Sequence, residues 1–233
     1  MKRIIVPEEM DNETLSAEEH IHALKGLARV NFFSRSAHNL WAIIEELAQE
    51  KTGKPLRLLD IATGFGDIPI FLWKRARRKR VLLEIDGCDK SSQALDFART
   101  RAEQNGAQVH FFTLNIHNEE IPSGYDVLIS SLFLHHLQNE EAVDFLRRMG
   151  QQAKRLVLVN DLVRSVSGLV LAFVGTRLLS VSPIVQSDGV RSVRAAFTVP
   201  EVINAVQEAG LHQARVDRRW PSRFLLIWKK EEA

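Results

Sequence analysis

The chain of 233 residues contains a single cysteine, Cys88, so no intrachain disulfide, no CxxC zinc site and no cysteine-ligated iron–sulfur cluster can form. Iron–sulfur radical chemistry is excluded with the cluster. A surplus of charge is also missing. The 31 Lys and Arg face 29 Asp and Glu, which leaves no global field of the kind that concentrates phosphate backbones. Nor is there a long apolar run. The most apolar stretch, Gly168 to Val174, is far shorter than the roughly 20 residues that a membrane-spanning helix needs. Arg177 interrupts its extension, and no membrane span is expected. The start, MKRIIVPEEMDNE, turns acidic before any apolar segment develops, the wrong order for a secretory signal, so a cytoplasmic location is the expectation. No repeat, low-complexity tract or linker marks a second independent domain, and the length suits one α/β domain.

What is present is a regular alternation. Residues 16 to 50 carry helical periodicity, with Ile21, Leu24, Leu27 and Ala28 on one stripe and Leu40, Ile43, Ile44 and Leu47 on another. We assign 1–54 to an N-terminal helical lid in which Arg29, Asn31, Phe32, Phe33 and Trp41 are candidates to close over a substrate. After the turn Thr52-Gly53-Lys54-Pro55, the run Leu58-Leu59-Asp60-Ile61 reads as a buried strand. A helix over 67–78, a strand from Val81 to Gly87, a helix over 91–104 and a strand from Val109 to Leu114 follow. The pattern continues with a strand from Asp126 to Ser130, a helix near 139–152 and a strand from Arg155 to Val159. Such alternation predicts parallel strands joined by helical crossovers. A helix over 199–209, capped by Thr198 with Pro200 in its first turn and ended by Gly210, precedes strands near 212–218 and 224–229. The segment 162–197 breaks this rhythm with an apolar helix and a polar, arginine-containing loop. Insertions at the carboxyl edge of an open sheet lie where ligands bind, so we place it on the substrate side of a core spanning 55–233.

In Leu59-Asp60-Ile61-Ala62-Thr63-Gly64-Phe65-Gly66-Asp67 a buried strand runs into small residues and then a helix; two glycines permit positive φ and close approach of a ligand. A plain strand-to-helix turn also satisfies so short a motif. In a dinucleotide fold a third glycine would follow, but that position is Pro69, and a carboxylate at Asp60 would repel a pyrophosphate while suiting a cationic amino-acid moiety. Asp89 lies 23 positions beyond Gly66 (89 − 66), at the end of the second strand, where a carboxylate can accept hydrogen bonds from both ribose hydroxyls. Lys90 and Ser91 begin the next helix and border an adenine site. Asn115, after the third strand, is placed either for the exocyclic amine or for a local turn.

Together LDIATGFGD, IDGCDKS, FFTLNI and YDVLISSLFLHHL resemble the successive cofactor motifs of class I S-adenosylmethionine-dependent methyltransferases. The likeness is greatest to the small-molecule branch that includes the ubiquinone and menaquinone biosynthesis enzymes, and it covers residues 56 to 160. The resemblance implies an α/β fold with a seven-stranded Rossmann-like sheet in the order 3-2-1-4-5-7-6, the last strand antiparallel. It also implies S-adenosylmethionine bound over the carboxyl ends of the first two strands. By that correspondence Asp60, Ala62, Gly64 and Gly66 line the methionine end, Asp89 holds the ribose, and Asn115 with Ile116 flanks the adenine. Thr63, Asp67, Lys90 and Ser131 complete the expected cofactor set, and Ala62 stands where the family carries its first glycine.

The acceptor is less directly written. The run Ser130-Ser131-Leu132-Phe133-Leu134-His135-His136-Leu137 lacks the two prolines that amino-group methylases of DNA bases and glutamine carry after the fourth strand. Cys88 precedes Asp89 on the cofactor side, which argues against cysteine-dependent methylation of pyrimidine carbon. His136 and His135 are the candidate general bases for a phenol or enol, or else they fix the loop; Asn160 and Asp161 end the fifth strand and are candidates to orient an acceptor hydroxyl. Arg164, Arg191 and Arg194 are candidates to clamp an acidic substrate. Leu169, Leu171, Phe173, Val174 and Phe197 predict an apolar or aromatic small-molecule acceptor: a phenol, quinone or polyketide-like molecule methylated on oxygen or carbon. No cluster of carboxylates and histidines suggests a catalytic metal. Three other readings stay open. The run Lys74 to Arg80 suits an RNA methyltransferase, although a solvated helix end explains it and no nucleic-acid partner is expected. A non-catalytic scaffold would use the apolar helix at 168–180 as a partner or homodimer face. A nicotinamide dehydrogenase is the third.

Overall fold

The computed structural model describes residues 1–11, 23, 26, 29, 30, 36–50 and 53–230. Seven strands, β1 (Leu56–Ile61), β2 (Leu83–Asp89), β3 (His110–Thr113), β4 (Val127–Ser131), β5 (Leu156–Leu162), β6 (Arg215–Arg219) and β7 (Arg223–Lys229), form one sheet in the order β3-β2-β1-β4-β5-β7-β6. The first five run parallel, and β7 is antiparallel to both β5 and β6. This is the order and the antiparallel last strand that the resemblance implied. The central strands read as unbroken apolar runs because both of their faces are covered.

The described helices are α1 (Ser36–Gln49), α2 (Asp67–Lys79), α3 (Ser92–Gln104), α4 (Asn139–Gln152), α5 (Val166–Leu179), α6 (Pro183–Ala195) and α7 (Val199–Glu208). On one face Phe145, Leu146 and Met149 of α4 and Val202 and Val206 of α7 meet Leu59, Leu128, Val157 and Leu226. On the other, Leu40, Trp41, Ile44 and Leu47 of α1 and Leu72 and Ala76 of α2 meet Leu58, Val127, Leu156 and Leu158. Residues 36–49 of the expected lid are therefore sheet-facing core, each large side chain contributing about 1.5–3 kcal/mol by its burial. Trp41 belongs to that core, its indole N–H donating to Glu45 at 2.7 Å. Arg29 is helical and exposed, whereas Ile21, Leu24, Leu27, Ala28, Asn31, Phe32 and Phe33 lie outside the described residues. Among the described residues no helix is long and apolar enough to cross a membrane.

Two of the differences from the sequence reading have clear local reasons. Strand β2 begins two residues late because Arg80 closes α2 in the left-handed region and the Val81 N–H returns to Ala76. The polar, arginine-containing half of the insertion is a helix, α6, rather than a loop. Pro183 at its start is a legitimate first-turn residue, but the buried face includes Asp188 and Ser192 beside Val185, Val193 and Ala195, which disguises the apolar period. A Cβ on Gly189 would stand 2.6 Å from Thr176 Cγ2, so the glycine lets α5 and α6 cross closely. The resulting helical hairpin stands over the carboxyl ends of β4 and β5.

Candidate active site

The first strand ends on Asp60, whose side chain is buried and accepts a hydrogen bond from the Thr63 hydroxyl at 2.6 Å. Burial pushes Asp60 up to about 7; the Thr63 hydroxyl opposes this, while Asp89 and Asp67 add to it. Among the described residues no cation is paired with it, so this carboxylate is ready for one from a ligand. Three left-handed residues follow at alternate positions: Ala62, Gly64 and Gly66, with φ of 56°, 53° and 70°. A Cβ on Gly64 would meet nothing within 4 Å, which marks the open side of the turn. A Cβ on Gly66 would strike Phe111 at 2.9 Å, which marks the packed side.

Asp89, at the end of β2, fixes the turn from across the crevice. One carboxylate oxygen accepts the Gly64 N–H at 2.9 Å and the other accepts the Ser91 N–H at 2.9 Å. A carboxylate oxygen has two lone pairs and can accept more than one hydrogen bond. Lys90 is exposed beside it, and Ile116 is buried just after β3. Asn115 closes a local turn, its side-chain oxygen accepting the His117 N–H at 3.1 Å. Ser131 accepts from the Asn160 amide at 3.0 Å. Asp67 is committed elsewhere: it ties α2 to α3 through Arg101 at 2.5 Å, and the same arginine holds the Phe65 carbonyl at 3.1 Å. Asp60, Ala62, Thr63, Gly64, Gly66, Asp89, Lys90, Asn115, Ile116 and Ser131 thus gather along the carboxyl edge of β1 to β4, where ligands bind in open α/β sheets.

Beside this cradle lies a largely apolar cavity of about 280 Å³. Its walls are Leu171, Ala172, Gly175 and Leu179 of α5, Val185, Gly189 and Val193 of α6, Leu132 after β4, the Trp220-Pro221-Ser222-Arg223 turn, and Glu8 and Met10 of the N-terminal segment. That segment is a strap that sequence reasoning missed. Arg3 donates to the carbonyls of Ala195 at 2.6 Å and Leu137 at 2.7 Å and lies 3.6 Å over the Phe197 ring. Asp188 accepts the N–H groups of Glu9 and Met10 at 2.9 and 3.0 Å. The charge-rich MKRIIVPEEM gave no sign of this because its partners lie more than a hundred residues away.

The polar end of the cavity is built around His135. Its Nδ1 is 2.7 Å from Asp161 Oδ1 and its Nε2 is 3.4 Å from Glu8 Oε1. Burial alone would lower the His135 pKa, but the two carboxylates hold it up at about 10. Burial would raise Asp161 and Glu8, yet the charge and hydrogen bonds of His135 hold Asp161 below its ordinary value and Glu8 down at about 2. An imidazolium cannot accept a proton, so the expected general-base role does not suit His135. Asp161 also accepts the backbone N–H groups of His135 and Leu162, at 3.1 and 2.6 Å, tying the end of β5 to this loop. His136 is half-buried on the cavity wall, with Nε2 3.9 Å from Glu8 Oε1. Ligand atoms of Glu8, His135 and His136 lie within 4.8 Å of one another. The sequence reading expected no such cluster; in it His135 Nδ1 is already taken up by Asp161 at 2.7 Å.

Two of the three arginines expected to clamp a substrate, Arg164 and Arg191, hold the scaffold instead. Arg164 is buried and donates to the carbonyls of Met1 and Ala196, at 3.0 and 2.9 Å, and to Glu201 at 2.6 Å. Arg191 pairs with Glu9 at 2.8 Å and Asp188 at 3.5 Å, and Arg194 is exposed. Phe197 is buried beneath Arg3, and Phe173 is half exposed with Arg177 stacked over it at 3.6 Å, away from the cavity walls named above. Among the described residues, the arginine on the cavity wall is one that the sequence reading passed over, Arg223.

Residues 58–155 match the family described as the methyltransferase domain. Over 116 residues the chain is 34% identical to a demethylmenaquinone methyltransferase of Thermus thermophilus, a match covering 49% of this chain and 50% of the relative. The chain therefore spans about half the length of that relative. Among solved structures, a magnesium protoporphyrin IX methyltransferase from Synechocystis PCC 6803 with bound SAH is similar at a TM-score of 0.60 and 16% identity, covering 95% of this chain and 91% of that one. The CMeT domain of a citrinin polyketide synthase is similar at a TM-score of 0.64 and 16% identity, covering 84% of this chain and 52% of that one. At such identities these likenesses concern the fold.

Proposed function

We propose that this chain, which carries a methyltransferase domain over residues 58–155, transfers a methyl group from S-adenosylmethionine to a small apolar or aromatic acceptor of phenol, quinone or polyketide-like type. The observation that carries this reading is the adjacency of two features. One is a glycine turn flanked by the buried carboxylate of Asp60, which no cation pairs among the described residues, and the hydrogen-bond acceptor Asp89; the other is an apolar cavity of about 280 Å³ over the next two strands.

Asp60 would hold the ammonium of the cofactor's amino-acid end, Asp89 the ribose hydroxyls, and the open side of Gly64 the backbone approach between them. When bound, S-adenosylmethionine supplies an already activated methyl group. The protein's own task is then alignment and exclusion of water. The strap, α5 and α6 cover the cavity, and His136 on its wall, beside Glu8, is the candidate to take a proton from an acceptor.

The other readings fit less well. A pyrophosphate at the same turn would face the Asp60 carboxylate. The basic run Lys74 to Arg80 lies at the C-terminal end of α2, at the opposite edge of the sheet from the cradle, and part of it is engaged by Glu45, Trp73 and Asn105. The outer face of α5 is exposed at Val166, Val170, Phe173 and Leu178, as a scaffold or homodimer would need. A concentration-dependent mass would identify it as an interface. The decisive experiment is transfer of a labelled methyl group from S-adenosylmethionine to a panel of phenols and quinones. Labelled product supports the enzyme, and cofactor binding without transfer to any of them favours the scaffold.

A further inference from the structure

Arg223 opens β7, and two ladders fix its backbone, Leu162 of β5 on one side and Arg219 of β6 on the other. It is 3% exposed and lies on the wall of the apolar cavity, and its Nε and Nη1 have no hydrogen-bond partner among the described residues. The other charged groups on that wall are matched. His135 lies between Asp161 and Glu8, Glu8 also takes the Ser192 hydroxyl, and Asp188 takes two backbone N–H groups and Arg191. Burial pushes Arg223 down to about 10, opposed by Asp161, so at neutral pH it remains a cation.

A buried guanidinium with unused donors is costly, and an apolar side chain of similar volume would commonly make a more stable protein. The missing partner has to be acidic, has to fit a forked donor, and has to arrive with an apolar body that the cavity can enclose. We propose that Arg223 is the oxyanion-recognising group of the acceptor site, and that the acceptor is an apolar molecule bearing an acidic oxygen, bound as its phenolate or enolate. On binding, the acceptor's proton leaves by way of His136 to solvent, and the guanidinium holds the oxyanion. This deepens the acceptor reading above and rests on it, but the binding step is testable without any methyl donor.

The probe is 4-nitrophenol, whose ionisation is visible, set against its neutral methyl ether, 4-nitroanisole. Wild-type protein is expected to bind the phenol at least about tenfold more tightly than the ether, as charge-assisted pairing implies, and to ionise it at a lower pH than in free solution. Arg223→Met is expected to remove both effects while leaving the melting temperature unchanged or higher, because it deletes an unpaired buried charge. Arg223→Lys, which keeps a cation without the fork, is expected to retain part of the preference and serves if the methionine variant does not fold. Equal affinity of the wild type for phenol and ether would overturn the proposal, as would a preference that survives both substitutions. Phenolate binding without methyl transfer in the labelled assay would sink the proposed function and leave this subsite standing. Transfer without phenolate preference would do the reverse.

Discussion

His135 Nδ1 sits 2.7 Å from Asp161 Oδ1 while its Nε2 faces Glu8 Oε1 at 3.4 Å, so one buried ring joins the end of β5, the loop after β4 and the N-terminal strap. Because His135 is raised from 6.5 to about 10, its contribution to stability is full below pH 6.5 and is lost as pH rises through about 10. Glu8, lowered from 4.5 to about 2, contributes above pH 4.5 and loses that contribution as pH falls through about 2. Urea denaturation is therefore expected to show stability falling between pH 6.5 and 10 in the wild type and much less so in His135→Gln. Glu8→Gln removes one partner of a buried charge pair and is expected to cost about 3 kcal/mol at neutral pH. An unchanged slope in the histidine variant would mean that the ring is neutral.

Asp60 is half protonated near neutral pH, and a bound ammonium would favour its carboxylate. Affinity for S-adenosylmethionine should consequently weaken as pH falls through about 7. The expected loss is roughly tenfold per pH unit well below that point, following from linkage. Calorimetric titrations across this range check it, and Asp60→Asn should bind weakly with a flat profile.

The glycine turn predicts two effects of opposite sign. Ala62 has φ of 56°, a region that disfavours a side chain, so Ala62→Gly should stabilise the protein by about 0.5–1 kcal/mol. Gly66→Ala forces a Cβ to 2.9 Å from Phe111 and should destabilise it by about 2 kcal/mol, with weaker cofactor binding. Urea titration of both variants reads the pair.

Arg3 joins the strap to the carbonyls of Ala195 and Leu137. Loss of these charged hydrogen bonds in Arg3→Ala should cost about 2 kcal/mol. Since the cradle lies elsewhere, acceptor affinity should fall while S-adenosylmethionine affinity is kept. Parallel titrations with each ligand would separate the two.

The sheet and the cradle were legible because their signals are local. An apolar run ending in Asp60, glycines at fixed offsets and an acid ending the next strand all occur within short windows of sequence. The acceptor side was not, because its pieces come from both ends of the chain: Glu8 from the first residues, His135 and His136 after β4, and Arg223 at the last strand. Arginines near the insertion drew attention by position, yet Arg164 and Arg191 hold the strap, and no spacing rule distinguishes them from Arg223. The helix α6 was missed for a related reason, since the polar residues on its buried face, Asp188 and Ser192, are there to receive the strap.

The central claim is that the turn between Asp60 and Asp89 holds S-adenosylmethionine. Isothermal titration calorimetry of the intact protein with S-adenosylmethionine, with NAD as the control ligand and Asp89→Ala as the control protein, tests it most directly. Binding of S-adenosylmethionine but not NAD, weakened at least about tenfold in the variant, as loss of a charged hydrogen-bond acceptor implies, is the predicted result. A folded wild type that binds neither ligand, or that prefers NAD, would contradict it.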